Sequence, residues 1–119
     1  MKKEIRDALR RDKTIDISTT GAQSGQTRRI EIWFHNVDDE IYISGMPGRR
    51  DWLANLEAYP EFTFHLKGSL QADLAATAQP ITDLAERRGI MGRFEGERDL
   101  EAWVADSPLV RVRFDGKVE

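Results

Sequence analysis

Residues 21–59 read GAQSGQTRRIEIWFHNVDDEIYISGMPGRRDWLANLEAY, and this stretch decides the fold. It holds two polar loops containing glycine, 21–27 and 45–48. Between the loops the residues alternate. Ile30, Ile32 and Phe34 fall on one face of a strand over 28–35, and Arg29, Glu31, Trp33 and His35 on the other. A polar turn over 36–40 and a second alternating run, with Ile41 and Ile43 on one face, make a β-hairpin. Gly45, Pro47 and Gly48 then break the strand. Asp51 is placed to open a helix, because an acid there meets unbonded N–H groups and the positive end of the dipole. Trp52, Leu53, Leu56 and Tyr59 share that helix's apolar face, and Pro60 ends it.

The flanks extend the pattern. Before the stretch, Ile15 and Ile17 mark a half-buried strand over 14–19, preceded by a short helix or arm over 1–12 that packs lightly. After it, Phe62, Phe64 and Leu66 form one face of a strand over 61–67. Gly68 and Ser69 turn the chain into an antiparallel partner carrying Leu70, Ala72, Leu74 and Ala76. Helices are predicted over 80–89 and over 96–106, the second with Leu100, Trp103 and Val104 facing inward. A last strand covers 109–114. Short joints make the sheet largely antiparallel, and six strands in so short a chain favour closure, which removes exposed edges. The expected class is α+β, mainly β: one domain over 1–119, a six-stranded barrel with short flanking helices.

Composition narrows the function. With 119 residues the chain builds one modest core, so a deep site calls for a second copy. A net charge of -3 argues against a general nucleic-acid binder. The absence of cysteine excludes disulfides, thiolate catalysis and zinc–sulfur sites, and fits a cytoplasmic location. The first residues, MKKEIRDALRRDK, carry no apolar run, so no secretory signal is expected. Nor does any apolar stretch approach the roughly 20 residues that span a bilayer, so no integral membrane segment is expected.

Four arginines, Arg28, Arg29, Arg49 and Arg50, edge the two loops. Loop N–H groups and guanidinium forks together can hold a phosphate, although neither loop is a Walker loop or a dinucleotide fingerprint. Surface arginines beside turns are also common without any ligand. Trp33 and His35 point outward and are expected to pack on a helix, a partner chain or a flat ligand. His35 and His65, the only histidines, both read as solvent-facing strand residues, and either could serve as a general base near neutral pH. Neither histidine has a second ligand at metal-binding spacing, so no metal site is expected. No serine has the G-x-S-x-G context, no carboxylates pair, and no catalytic residue is singled out.

The combination resembles a known family. Thr19, Thr20, Gly21, Ser24, Gly25 and Arg28, then Trp52, Asn55, Leu56, Ala58 and Pro60, follow the pattern of the deazaflavin-dependent nitroreductases. The later helix and the closing run SPLVRVRF also fit in order, so the resemblance spans roughly residues 14 to 114. It implies a split β-barrel related to flavin-mononucleotide-binding oxidoreductases, acting as a homodimer. It implies reduced coenzyme F-420 as hydride donor to a quinone, enone or nitro acceptor. Carried over by position, Gln23, Ser24 and Arg28 would meet the phosphate or glutamate tail, and Ile30, Glu31 and Ile32 would flank the ring. Ser44, Gly45, Met46, Pro47, Gly48 and Arg49 would give backbone contacts, and Trp52 and Asn55 would brace the loop. The chain departs from the pattern at Gln23 and Gln26, where relatives carry basic residues, and at Thr27 and Glu31, where they carry proline. Arg29, Arg49 and Arg50 are the compensating charges. Flavin mononucleotide in the same fold, with fewer cations to satisfy, is the alternative cofactor. A carrier without turnover is the alternative function.

Overall fold

The structure is a computed structural model and describes residues 1–115. The last four residues of the domain expected over 1–119 lie outside the described residues. Six strands, β1 (Thr14–Thr20), β2 (Thr27–Val37), β3 (Glu40–Ser44), β4 (Glu61–Lys67), β5 (Gln71–Pro80) and β6 (Leu109–Phe114), close in the order β1-β2-β3-β6-β5-β4. Every pairing is antiparallel. Four helices flank the barrel: α1 (Lys3–Arg11), α2 (Asp51–Ala58), α3 (Leu84–Met91) and α4 (Leu100–Asp106). The closed antiparallel barrel is the one that the alternation predicts, and it agrees with the split barrel that the resemblance implies.

The alternating residues fill the barrel as their period requires. Ile15, Ile17, Phe34, Ile43, Phe64 and Val110 are buried inside it. Phe64 meets the rings of Phe34 and Phe114 edge-on, at 5.5 and 5.1 Å between centroids. The first helix does not pack lightly as expected. Ile5, Ala8 and Leu9 are buried in the same core, and the Asn36 amide donates to the Leu9 carbonyl at 3.0 Å. Four-residue spacing had put Ile5 and Leu9 on one face, and that face is a core face.

The helices depart from the sequence reading at three points that matter here. The helix expected over 80–89 starts at Leu84, since Pro80 still pairs with Val110 as the last residue of β5. Asp83 is its N-cap, accepting a bond from the Glu86 N–H at 2.8 Å. The helix expected over 96–106 starts at Leu100, where Asp99 caps it by accepting from the Ala102 N–H. Tyr59 leaves the apolar face of α2. It is the C-cap residue, its backbone is extended, and it is 46% exposed.

Two features position the site. Asp38 and Asp39, with φ of 53° and 69°, form the tight turn between β2 and β3. Arg93 and Arg10 hold these aspartates at 2.7 Å each. More consequential is the length of β2. It pairs with β1 from Thr27 to Trp33, but with β3 only from Phe34 to Val37. Over 27–33 its other edge faces no strand among the described residues, and this is where the barrel is split.

Candidate functional site at the barrel split

A cavity of about 710 Å³ lies at the split and wraps the free edge of β2. Residues from Glu31 to Val37 form its floor, and Ser44, Gly45 and Met46, at the end of β3, form one side. The opposite wall comes from the segment joining α3 to α4: Arg93, Phe94, Glu95 and Arg98, with Trp103 behind them. The end of α1 closes the rim with Arg10, Asp12 and Lys13. Along β2, burial falls from Phe34 through Ile32 to Ile30, which is 37% exposed, as the strand leaves the barrel.

The proposed site residues fall into three groups. Glu31, Ile32, Ser44, Gly45 and Met46 line the cavity. Gln23, Ser24, Arg28, Ile30, Pro47, Gly48 and Arg49 lie outside its lining, on the two loops and the outer reach of β2, and all but the partly buried Pro47 are exposed. Trp52 and Asn55 lie behind the loops. Trp52 is buried in the main core. Asn55 ties the first loop to β1, because its amide oxygen accepts from the Ala22 N–H at 2.9 Å and its amide nitrogen donates to the Thr19 hydroxyl at 3.3 Å.

The four loop arginines are not equivalent. Arg29 bonds Asp16 at 3.0 Å. Arg50 folds back on its own loop, donating to the carbonyls of Met46 and Arg49 at 3.0 and 2.8 Å. Arg28 and Arg49 make no side-chain hydrogen bond or ion pair among the described residues. Glu31, whose charge the resemblance sets beside a ring, is paired with Lys67. Lys67 also meets Asp16 at 2.7 Å, and Lys67, then Arg29, hold the Asp16 carboxyl below its ordinary range.

The histidines depart from expectation. His65 is not solvent-facing. It is 6% exposed, its Nε2 lies 2.7 Å from the Ser18 hydroxyl, and its Nδ1 lies 2.7 Å from Asp73. This polar line ties β1, β4 and β5 together, and its hydrogen bond from His65 holds Asp73 below the usual carboxylate range. The signal for it was the hairpin register. With the turn at Gly68 and Ser69, His65 falls directly opposite Asp73. Trp33 is 61% exposed, so of the three covers expected for it, a helix of this chain is the one it does not have among the described residues. His35 stacks on Phe94 with ring centroids 3.9 Å apart and planes 6° off parallel. Arg98 lies over both Phe94 and Trp103, at 5.6 and 4.9 Å, which extends the stack into the wall. Sequence reasoning missed this wall, because residues 92–99 carry no periodicity that announces a contact.

Burial, with Arg98 and Lys13 beside it and Glu95 opposing, holds the His35 imidazole to about 4. A base whose folded pKa lies below its unfolded value near 6.5 binds fewer protons folded than unfolded. His35 therefore leaves stability intact above pH 6.5 and removes it as pH falls from 6.5 towards 4. We expect thermal midpoints measured over that range to fall more steeply for the natural protein than for His35→Phe. Parallel slopes would show that the stack tolerates the imidazolium.

Residues 3–113 match the family described as F420H(2)-dependent quinone reductase. This chain belongs to that family. The deazaflavin cofactor and the oxidoreductase class implied by the sequence resemblance therefore hold. No curated protein sequence matches it. Among solved structures, a conserved hypothetical protein of Mycobacterium tuberculosis is 19% identical, with a TM-score of 0.74 over 96% of this chain and 81% of that one. An F-420 reductase is 16% identical, with a TM-score of 0.67 over 93% of each chain. HutZ, a heme storage protein of Vibrio cholerae, is 18% identical, with a TM-score of 0.68 over 94% of this chain and 88% of that one. At these identities the structural likenesses establish the fold alone.

Proposed function

We propose that the chain transfers a hydride from reduced coenzyme F-420 to a small acceptor, a quinone, enone or nitro compound, in the groove at the barrel split. The observation that carries this reading is the free edge of β2 beside a cavity of about 710 Å³. A strand edge without a partner offers backbone N–H and C=O groups to the polar rim of a flat heterocycle. The bound cofactor supplies the hydride chemistry; the protein supplies orientation and a drier surrounding. Ile30 and Ile32 would flank the ring. Arg28 and Arg49 would meet the phosphate, together with Gln23 and Ser24 on the loop that Asn55 anchors. Backbone groups from Gly45 to Gly48 would close the other side. Ser44 gives its shape only, since its hydroxyl donates to the Pro108 carbonyl at 2.6 Å.

The expected homodimer belongs to this reading, and it is supported by Trp33, an exposed apolar surface on the groove that a second copy would cover. So does a cytoplasmic location, with which the absence of any helix long and apolar enough to cross a membrane among the described residues agrees. A second reading, flavin mononucleotide in the same groove, draws support from the arginines. With Arg29 and Arg50 committed elsewhere, two cations are left, enough for one phosphate.

A side-by-side titration separates the two. We expect F-420 to quench the tryptophan fluorescence with micromolar affinity, and reduced F-420 to be oxidised when menadione is added. Tighter binding of flavin mononucleotide, or a yellow purified protein, would transfer the proposal to that cofactor. Binding of neither at micromolar concentration would sink both readings.

A further inference from the structure

We propose that His35 binds the acceptor, its imidazole donating a hydrogen bond to the carbonyl oxygen of a quinone-type substrate. The inference rests on the reductase reading for the identity of the reaction, but its geometry stands separately. His35 lines the cavity, and its ring plane is fixed by the parallel contact with Phe94. Every other titratable side chain of the lining already has a protein partner. Arg10 meets Asp39, Arg93 meets Asp38, Lys13 meets Glu95, and Glu31 meets Lys67. Asp12 accepts from Ser69, and Arg98 donates to the carbonyls of Phe94 and Glu95. The His35 nitrogens have no hydrogen-bond partner among the described residues. A half-buried ring held in plane, with both nitrogens unbonded, is prepared to bind a polar ligand at low ordering cost.

The charge state suits a carbonyl. Burial above all, then the charges of Arg98 and Lys13, with Glu95 opposing, favour the neutral ring, which presents one N–H donor and one acceptor. The electrons balance without a proton leaving His35 for good. One hydride, carrying two electrons, adds to the quinone, and the proton that completes the hydroquinone comes from water. The imidazole N–H holds and orients the acceptor oxygen in the bound complex, to the same extent before and after the hydride moves.

The test measures menadione binding by tryptophan quenching, alongside F-420 binding, in the natural protein, His35→Phe and His35→Gln. Phenylalanine keeps the stack and removes the donor; glutamine keeps an N–H. We expect His35→Phe to weaken menadione binding about tenfold, as for a hydrogen bond lost at a half-buried site. His35→Gln should recover to within about threefold, and F-420 affinity should be unchanged in both. In turnover the same change should appear in KM rather than kcat. Menadione affinity within twofold of the natural protein in His35→Phe, no recovery in His35→Gln, an equal loss of F-420 affinity, or no menadione binding to the natural protein would each overturn the proposal. Failure of the natural protein to oxidise reduced F-420 with menadione would instead remove the reductase reading, and the binding comparison would still decide the role of His35.

Discussion

Replacing Arg87 by methionine is expected to cost about 3–5 kcal/mol of stability, among the larger effects of a single side chain. Arg87 is 8% exposed and its guanidinium meets only backbone. It donates to the carbonyls of Val104 at 2.7 Å, Ile81 at 2.8 Å and Trp103 at 3.3 Å, and to that of Ser107. Two of these acceptors, Val104 and Trp103, lie in the last turns of α4, and Ser107 is its C-cap, where helix carbonyls lack intrahelical partners. Burial lowers the Arg87 pKa, but a guanidinium stays charged at neutral pH, so the cation depends on these carbonyls for solvation. Methionine fills much of the stem's volume and takes the donor from the Val104, Ile81 and Ser107 carbonyls, while Trp103 keeps its bond from the Ser107 N–H, so the loss reports hydrogen bonding more than a cavity. Arg87→Lys should recover only part, because an ammonium cannot reproduce the fork. Urea unfolding measures both. A loss below about 1 kcal/mol would mean that water replaces the guanidinium without difficulty. The consequence reaches the groove, since α3 and α4 bracket the segment carrying Phe94 and Arg98. A looser pair of helices should also weaken the stack on His35.

Arg87 also shows where the sequence stops being legible. Read from the sequence, it stands with Arg88 before Gly89 at the end of the helix expected over 80–89, where basic residues suit the dipole. In the structure α3 runs on to Met91, and Arg87 lies on its buried side. Asp83 and Glu86 suit the first turns of a helix, and Pro80, a common first helical residue, drew its start four residues early, so the cap at Asp83 went unread. The barrel was legible for the opposite reason. Ile15 and Ile17, or Phe62, Phe64 and Leu66, sit on strands whose period of two puts them all on the face that fills the barrel. The loops of the candidate site were legible from composition and family pattern. Its far wall was not, because His35, Phe94, Arg98 and Trp103 meet only through tertiary packing. Which arginines are available was equally hidden. Arg28 and Arg29 are neighbours in sequence, and nothing short of the β1–β2 register indicates that Arg29 reaches Asp16.

That difference between neighbours gives the sharpest test of the proposed cofactor site. Arg28→Ala is expected to weaken F-420 binding about tenfold at low salt, and Arg28→Ala with Arg49→Ala about a hundredfold, the range for losing one and two charge-assisted contacts to a phosphate. The loss should shrink as salt is added, since screening weakens the same contacts in the natural protein. Arg29→Ala is the control. Its guanidinium is on Asp16, and Lys67 remains to hold that carboxylate, so affinity should change by less than about threefold. Both substitutions remove one positive charge from adjacent positions on an exposed strand. A long-range field would therefore be reduced almost equally by either, whereas direct contact with a phosphate distinguishes them. Equal losses in Arg28→Ala and Arg29→Ala would identify the effect as general electrostatics and remove Arg28 from the site. A loss confined to Arg28 would place the phosphate on the side of β2 that carries Ile30 and Ile32.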